Sequence, residues 1–376
     1  MRGILAFIVV IHHFVLLFYP KLYYGSYYLT DYETDPHSMG LLIANTPLNI
    51  FMNGNWAVCM FLLLSGFVLS LRYNATNDIT IIQDSFFKRY FRLTIPILGT
   101  VLLVYVLHRS GLFKSAHYPR TVTEFSFGKD LFTNNLSFLN VIKMALVDVP
   151  LYGNNTYVPV FWTMDIELVG VLLLFAFLML THQLKHKTIL YVLFIAFLIY
   201  IQKTYYVLIF VGSLFALHQD LIERYSSKKI VFILIFLIGL FLSGIPNLAD
   251  NGMKHTWYAF TIGWSKNMYM YVHFLSCALM FLALLVFVKI QRVFSSKSIL
   301  FLGDISYAMY LIHLPILFIV GSNIMLSSKG ATHPFMLFIY CLTAVIICSY
   351  LFYRAIDKYS IQWAGKISKK LFRRTI

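Results

Sequence analysis

Arg2 and His13 open the chain as one cation and one imidazole, separated by ten residues that are apolar apart from His12. In a helix, eleven steps of about 100° make three turns plus roughly 20°. The two side chains therefore share one face, about 16 Å apart. An imidazole at that depth in an apolar run is costly to bury and marks a functional site, and in its neutral form it can take a proton from a hydroxyl. His12 points about 80° away and reads as structural. Glu167 and His313 are two more ionisable groups inside apolar runs. Counting from the expected helix ends puts His13, Glu167 and His313 roughly 10–12 Å below one surface. A carboxylate bonded to an imidazole raises its basicity and fixes its tautomer, so Glu167 is expected to orient His13. The alternative for each histidine is an interhelical hydrogen bond. A proton relay in a transporter would use the same three groups, but no inverted repeat or Gly/Pro-broken helix pair supports one.

A second cluster, Lys88-Arg89-Tyr90-Phe91-Arg92, puts two guanidiniums at i, i+3 on one helix face beside an ammonium. Paired guanidiniums bind phosphate bidentately, which suits a nucleotide-bearing donor. The alternative is a positive-inside stop after a membrane span. Ser65-Gly66 puts two small residues in an apolar run, where helices can approach closely.

The elements that must hold these residues are membrane helices. Of 376 residues, 60% are hydrophobic and 12% charged, about half the charged share of a soluble domain. The expected fold is an all-α, polytopic transmembrane bundle of ten spans: 4–20, 56–72, 95–112, 160–180, 188–201, 204–218, 229–245, 270–289, 299–321 and 335–354. Most Lys and Arg then fall in one set of connecting segments, which places both termini in the cytoplasm. The net charge of +15 follows from those flanks, and no compact basic domain exists to hold nucleic acid. The four cysteines sit singly in apolar runs, so neither disulfides nor a metal site is expected. No cleavable signal pattern precedes the first span, which is expected to direct its own insertion. Segments 21–55, with Asp31, Glu33 and Asp35, and 113–159 are long enough to receive an acceptor on the outer side. Residues 1–357 read as the membrane domain and 358–376 as a basic, weakly amphipathic tail lying on anionic lipid.

Five segments in order resemble the acyltransferase-3 family of integral membrane acyltransferases. They are Arg2 to His13; Phe61-Leu-Leu-Leu-Ser65-Gly66-Phe67; Lys88-Arg89-Tyr-Phe-Arg92-Leu93-Thr-Ile-Pro96; Phe161-Trp162-Thr163-Met-Asp-Ile-Glu167; and Leu302-Gly303-Asp304-Ile-Ser306-Tyr307-Ala-Met-Tyr310-Leu-Ile-His313. The resemblance implies transfer of an acyl group, commonly acetyl, from cytoplasmic acyl-CoA to a hydroxyl of a cell-envelope polysaccharide or lipid-linked glycan. A lipid or small hydrophobic acceptor is the alternative. It also implies an integral protein of the bacterial inner membrane, with acyl-CoA as donor substrate and no metal. His13 would be the essential imidazole, with Glu167 and His313 completing the catalytic core. Arg2, Lys88, Arg89 and Arg92 would contact the CoA donor, and Ser65, Gly66, Trp162, Ser306, Tyr307 and Tyr310 would support the site. Two departures stand out. Lys88 replaces a frequent arginine and loses its fork, and Arg2 follows Met1 directly where the family has a longer lead.

Overall fold

A chain this apolar must satisfy its own backbone N–H and C=O groups in hydrocarbon, and a helix does so within one segment. The computed structural model describes residues 1–19, 43, 46–113, 132, 136–246 and 257–371, and among these every regular element is helical. The longer helices are α1 (Arg2–Phe18), α2 (Gly54–Thr76), α3 (Ile79–Arg109), α4 (Met164–Leu180), α5 (Lys187–Tyr200), α6 (Thr204–Leu217), α7 (Lys229–Ser243), α8 (Lys266–Val286), α9 (Ser306–Ser327), α10 (Pro334–Phe352) and α11 (Lys358–Leu371). The acidic 31–35 stretch and most of the two outer segments lie outside the described residues.

Each of the ten expected spans has a helix, but among the described residues only six helical stretches are long and apolar enough to cross a membrane. A seventh counts if α6 and the short helix after it, bent by 62°, are one span. The others, α1, α5 and α7, have 17, 14 and 15 residues. At about 1.5 Å per residue these fall short of a hydrocarbon core of about 30 Å.

The third helix departs most from expectation. The Asp78 side chain accepts from Thr80 N–H and caps a helix that runs 31 residues, straight through Pro96. Lys88, Arg89 and Arg92 are therefore not in a connecting segment but about ten residues inside α3. At the other end of the chain, α10 passes through one π turn (Tyr353–Asp357) into α11, so residues 358–371 continue the last long helix. They also lie along α3.

The chain forms two compact units. One comprises Met1–Leu64 and His218–Gly303, the other Ser65–Leu217 and Asp304–Ile376. In the first, α7 and α8 form the main helix pair, and the 3-10 turn Pro47–Phe51 contacts both α7 and α1. In the second, α3 contacts α4, α9 and α11, α9 contacts α10, and α6 contacts α4 and α5. Gly66 explains one close approach there, because a Cβ on it would run into the backbone carbonyl of Ile209 on α6.

Candidate active site

In the second unit, the centre is a buried ion pair. Arg89 on α3 donates through Nη2 to Glu167 Oε1 on α4, with side chains only 7% and 18% exposed. Ser65 Oγ donates to the same oxygen at 2.7 Å. A guanidinium and a hydroxyl thus meet on one oxygen of the Glu167 carboxylate, which in an apolar surround needs a counter-charge. Arg89, expected in a basic flank at the inner face, and Glu167, expected roughly 10–12 Å below the outer surface, touch, because Arg89 is about ten residues inside α3.

The sequence Ser306-Tyr307-x-x-Tyr310-x-x-His313 repeats at three and four residues and so lies along one side of α9. Tyr310 OH is 2.7 Å from Thr163 Oγ1 and donates to Val160 O at 3.2 Å, both in the 3-10 turn Pro159–Thr163 that leads into α4. Tyr307 OH donates to Leu93 O at 3.0 Å. That carbonyl is next to Arg92 C=O, to which Pro96 has no N–H to give. The motif thus ties α9 to α4 and α3. His313 is fully buried, and its Nδ1–H donates to the carbonyls of Met309 and Tyr310 at 3.0 and 2.8 Å. Trp162 stands edge-on to Tyr205, with ring centroids 5.3 Å apart, and Ser306 is buried at the start of α9.

The cations of the basic cluster are not alike. Lys88 pairs with Asp84 one turn earlier on α3, and Arg89 is committed to Glu167. Arg92 is half-buried, and among the described residues no ion pair joins it to a carboxylate.

In the first unit, Arg2 and His13 both lie on α1. His13 Nδ1 is 3.0 Å from Val9 O one turn earlier. A carbonyl only accepts, so Nδ1 carries the proton and the neutral ring has its lone pair on Nε2, the tautomer a general base needs. Its ring is edge-on to His12 at 4.9 Å. His12 is a structural clamp: its Nδ1 lies 2.9 Å from Met52 O and 3.2 Å from Gly54 N, at the turn into α2.

Behind that turn lies a polar network that the reading of the sequence missed. Asn53 donates to Ser243 O at 3.1 Å and lies 3.2 Å from His273 Nε2, which is 2.7 Å from Ile245 O. Trp56 Nε1 donates to Ser276 Oγ at 3.0 Å. His273 sits in an apolar run on α8, as His313 does on α9, so the rule that picked out His313 would also have found it. Thr163 was missed because nothing in its immediate spacing signals a partner.

Among the described residues no group of three or more His, Cys, Asp or Glu side chains could hold a metal ion. No curated protein and no solved structure matches the chain. A family model described as an acyltransferase domain matches residues 1–354 of the 376, and the chain therefore belongs to the acyltransferase-3 family of membrane acyltransferases.

Proposed function

We propose that the protein is an O-acyltransferase that moves an acyl group, acetyl above all, from acyl-CoA to a hydroxyl of a cell-envelope polysaccharide or lipid-linked glycan. Family membership supports the reaction class, and the observation that carries the assignment of the base is the His13 tautomer, with Nδ1–H held by Val9 O. His13 Nε2 takes the proton from the acceptor hydroxyl as the oxygen attacks the thioester carbonyl. The new C–O ester bond forms, the C–S bond breaks, and the proton passes from the imidazolium to the departing CoA thiolate. Proton and electrons balance with no further reactant.

The phosphates of the donor fall to Arg92. Arg89 already serves Glu167, and Lys88 already serves Asp84. Arg89, Glu167 and Ser65 act as a positioning group that fixes α2, α3 and α4 in register.

The test is incorporation of label from radiolabelled acetyl-CoA into the glycan fraction of membrane vesicles, with His13→Gln beside the parent at equal expression. Incorporation by the parent that falls by at least about 100-fold in the variant supports the assignment, since general-base catalysis contributes about 10²–10⁴-fold. Unchanged incorporation in the variant removes His13 from the chemistry. Label that appears only in extracted lipid shifts the acceptor class.

A further inference from the structure

In the first unit, α1 is bonded through His12 to a turn that is itself pinned from its far side. The turn comprises the 3-10 segment Pro47–Phe51, Met52 and Asn53, and α2 starts after it at Gly54. Asn49 Nδ2 donates to Gly244 O and Asn53 Nδ2 to Ser243 O, both at 3.1 Å and both at the end of α7. Asn53 Oδ1 accepts from Trp56 N–H at 3.0 Å and so caps α2. Met52 and Asn53 are buried, and the turn offers α1 a fixed surface.

His12 meets that surface with its Nδ1, 2.9 Å from Met52 O. A carbonyl only accepts, so Nδ1 carries the proton and donates it. The Gly54 N–H, 3.2 Å from the same carbonyl, is a second donor to it. The His12 ring rests directly on Gly54, where a Cβ would stand 2.6 Å from Cγ and 2.7 Å from Cδ2. The same ring meets the His13 ring edge-on, with centroids 4.9 Å apart. Neighbouring residues of a helix point about 100° apart, so a fixed His12 fixes the direction of His13. The apolar packing of α1 has no preferred angle about the helix axis, whereas a hydrogen bond has one. His13 is tied to Val9 O within α1, so its Nε2 moves with the helix.

We propose that His12 is a positioning residue for His13: its bond to Met52 O sets the rotation of α1 and thereby aims His13 Nε2 at the acceptor hydroxyl. The proposal rests on the reading of His13 as the general base. A rotation of α1 by about 10° moves an atom about 6 Å from the axis by roughly 1 Å. A displacement of that size can cost about 100-fold in rate. The imidazole that the sequence marked as structural thus acts on the reaction through its neighbour.

The experiment is transfer of label from radiolabelled acetyl-CoA to the total acceptors of membrane vesicles, with the full chain at equal expression and acetyl-CoA varied. His12→Phe keeps a ring beside His13 but loses the bond to Met52 O. It is expected to lower kcat between about 10- and 100-fold, with KM for acetyl-CoA unchanged. His12→Asn places an amide N–H close to the position of Nδ1 and should restore most of the loss. In the His13→Gln background, His12→Phe should lower the residual rate no further. A parent-like kcat in His12→Phe, a change confined to KM, a loss that His12→Asn does not restore, or a full further loss on top of His13→Gln overturns the proposal. If the parent transfers no label, or His13→Gln transfers as fast as the parent, the reading of His13 falls, and this proposal with it. If His13→Gln loses transfer and His12→Phe does not, only this proposal falls. Should His12→Phe fail to fold, Gly54→Ala leaves His12 in place and pushes on its ring. It is expected to lower kcat about tenfold at unchanged KM, and a parent-like kcat overturns the proposal.

Discussion

Replacing Glu167 by Gln tests the centre of the second unit with little change of shape. The substitution keeps an amide oxygen for Ser65 Oγ, now 2.7 Å from Glu167 Oε1, but removes the counter-charge of Arg89. That arginine is 6% exposed, and its Nε already has no hydrogen-bond partner among the described residues. Breaking a buried pair by removing one partner costs about 3–5 kcal/mol, because the remaining charge stays in a poor solvent. The 18% exposure of Glu167 admits some solvation, so the lower end, about 3 kcal/mol, is expected. Pairing Glu167→Gln with Arg89→Gln removes both charges and should recover about 2 kcal/mol of that loss, a coupling typical of residues in direct contact. The assay is unfolding of detergent-solubilised protein followed by tryptophan fluorescence, in a four-member double-mutant cycle. A loss of about 3 kcal/mol should lower the midpoint by roughly 5 °C. A Glu167→Gln variant within 0.5 kcal/mol of the parent, or a double variant whose loss is the sum of the two single losses, would refute the pair as a stabilising contact.

Gly66→Ala should separate α2 from α6 or prevent folding, since its Cβ would meet the Ile209 carbonyl of the backbone. Overpacking of this kind costs about 1–3 kcal/mol or more, and a variant that expresses and melts like the parent would show that the two backbones are not so close. Tyr310→Phe removes the hydroxyl that reaches Thr163 Oγ1 and Val160 O in a buried place. It should cost about 1–2 kcal/mol in the same unfolding assay, and Thr163→Val should cost less in that background than in the parent, since only its bond to Val160 O is then left to lose. Additive losses would mean that the two hydroxyls do not share a bond.

The parts of the site that were legible in the sequence are those governed by one helix. Arg2 and His13 share a face because eleven residues nearly close three turns, and Ser306, Tyr307, Tyr310 and His313 form one side of α9 for the same reason. The small pair Ser65-Gly66 marked a close helix approach, and Gly66 makes one. What could not be read was which helix each side would meet. The contact between Glu167 and Arg89 shows why. Lys88, Arg89 and Arg92 read as a membrane flank because flanks are basic and the third span was expected to begin at residue 95. The actual start is the Asp78 cap, 18 residues before Pro96, and the arginines move inward with it. A depth count that starts at the wrong end cannot find the partner of Glu167.

The packing of the last helix was hidden for a different reason. In a regular helix each residue's face follows from residues three and four positions away, but the π turn at 353–357 adds a residue and rotates everything beyond it by about 100°. No periodicity count on the sequence reveals such a turn, so 358–371 looked like an independent amphipathic tail. Its outer side does carry exposed Tyr359, Ile361 and Trp363 with exposed Lys358, Lys366 and Lys370, a composition fit for a membrane surface. Its inner side, Ser360, Ala364 and Ser368, is too small and polar to bury against lipid and is shaped for another backbone. One helix thus packs on α3 with its small side and keeps a side of lipid-compatible composition exposed.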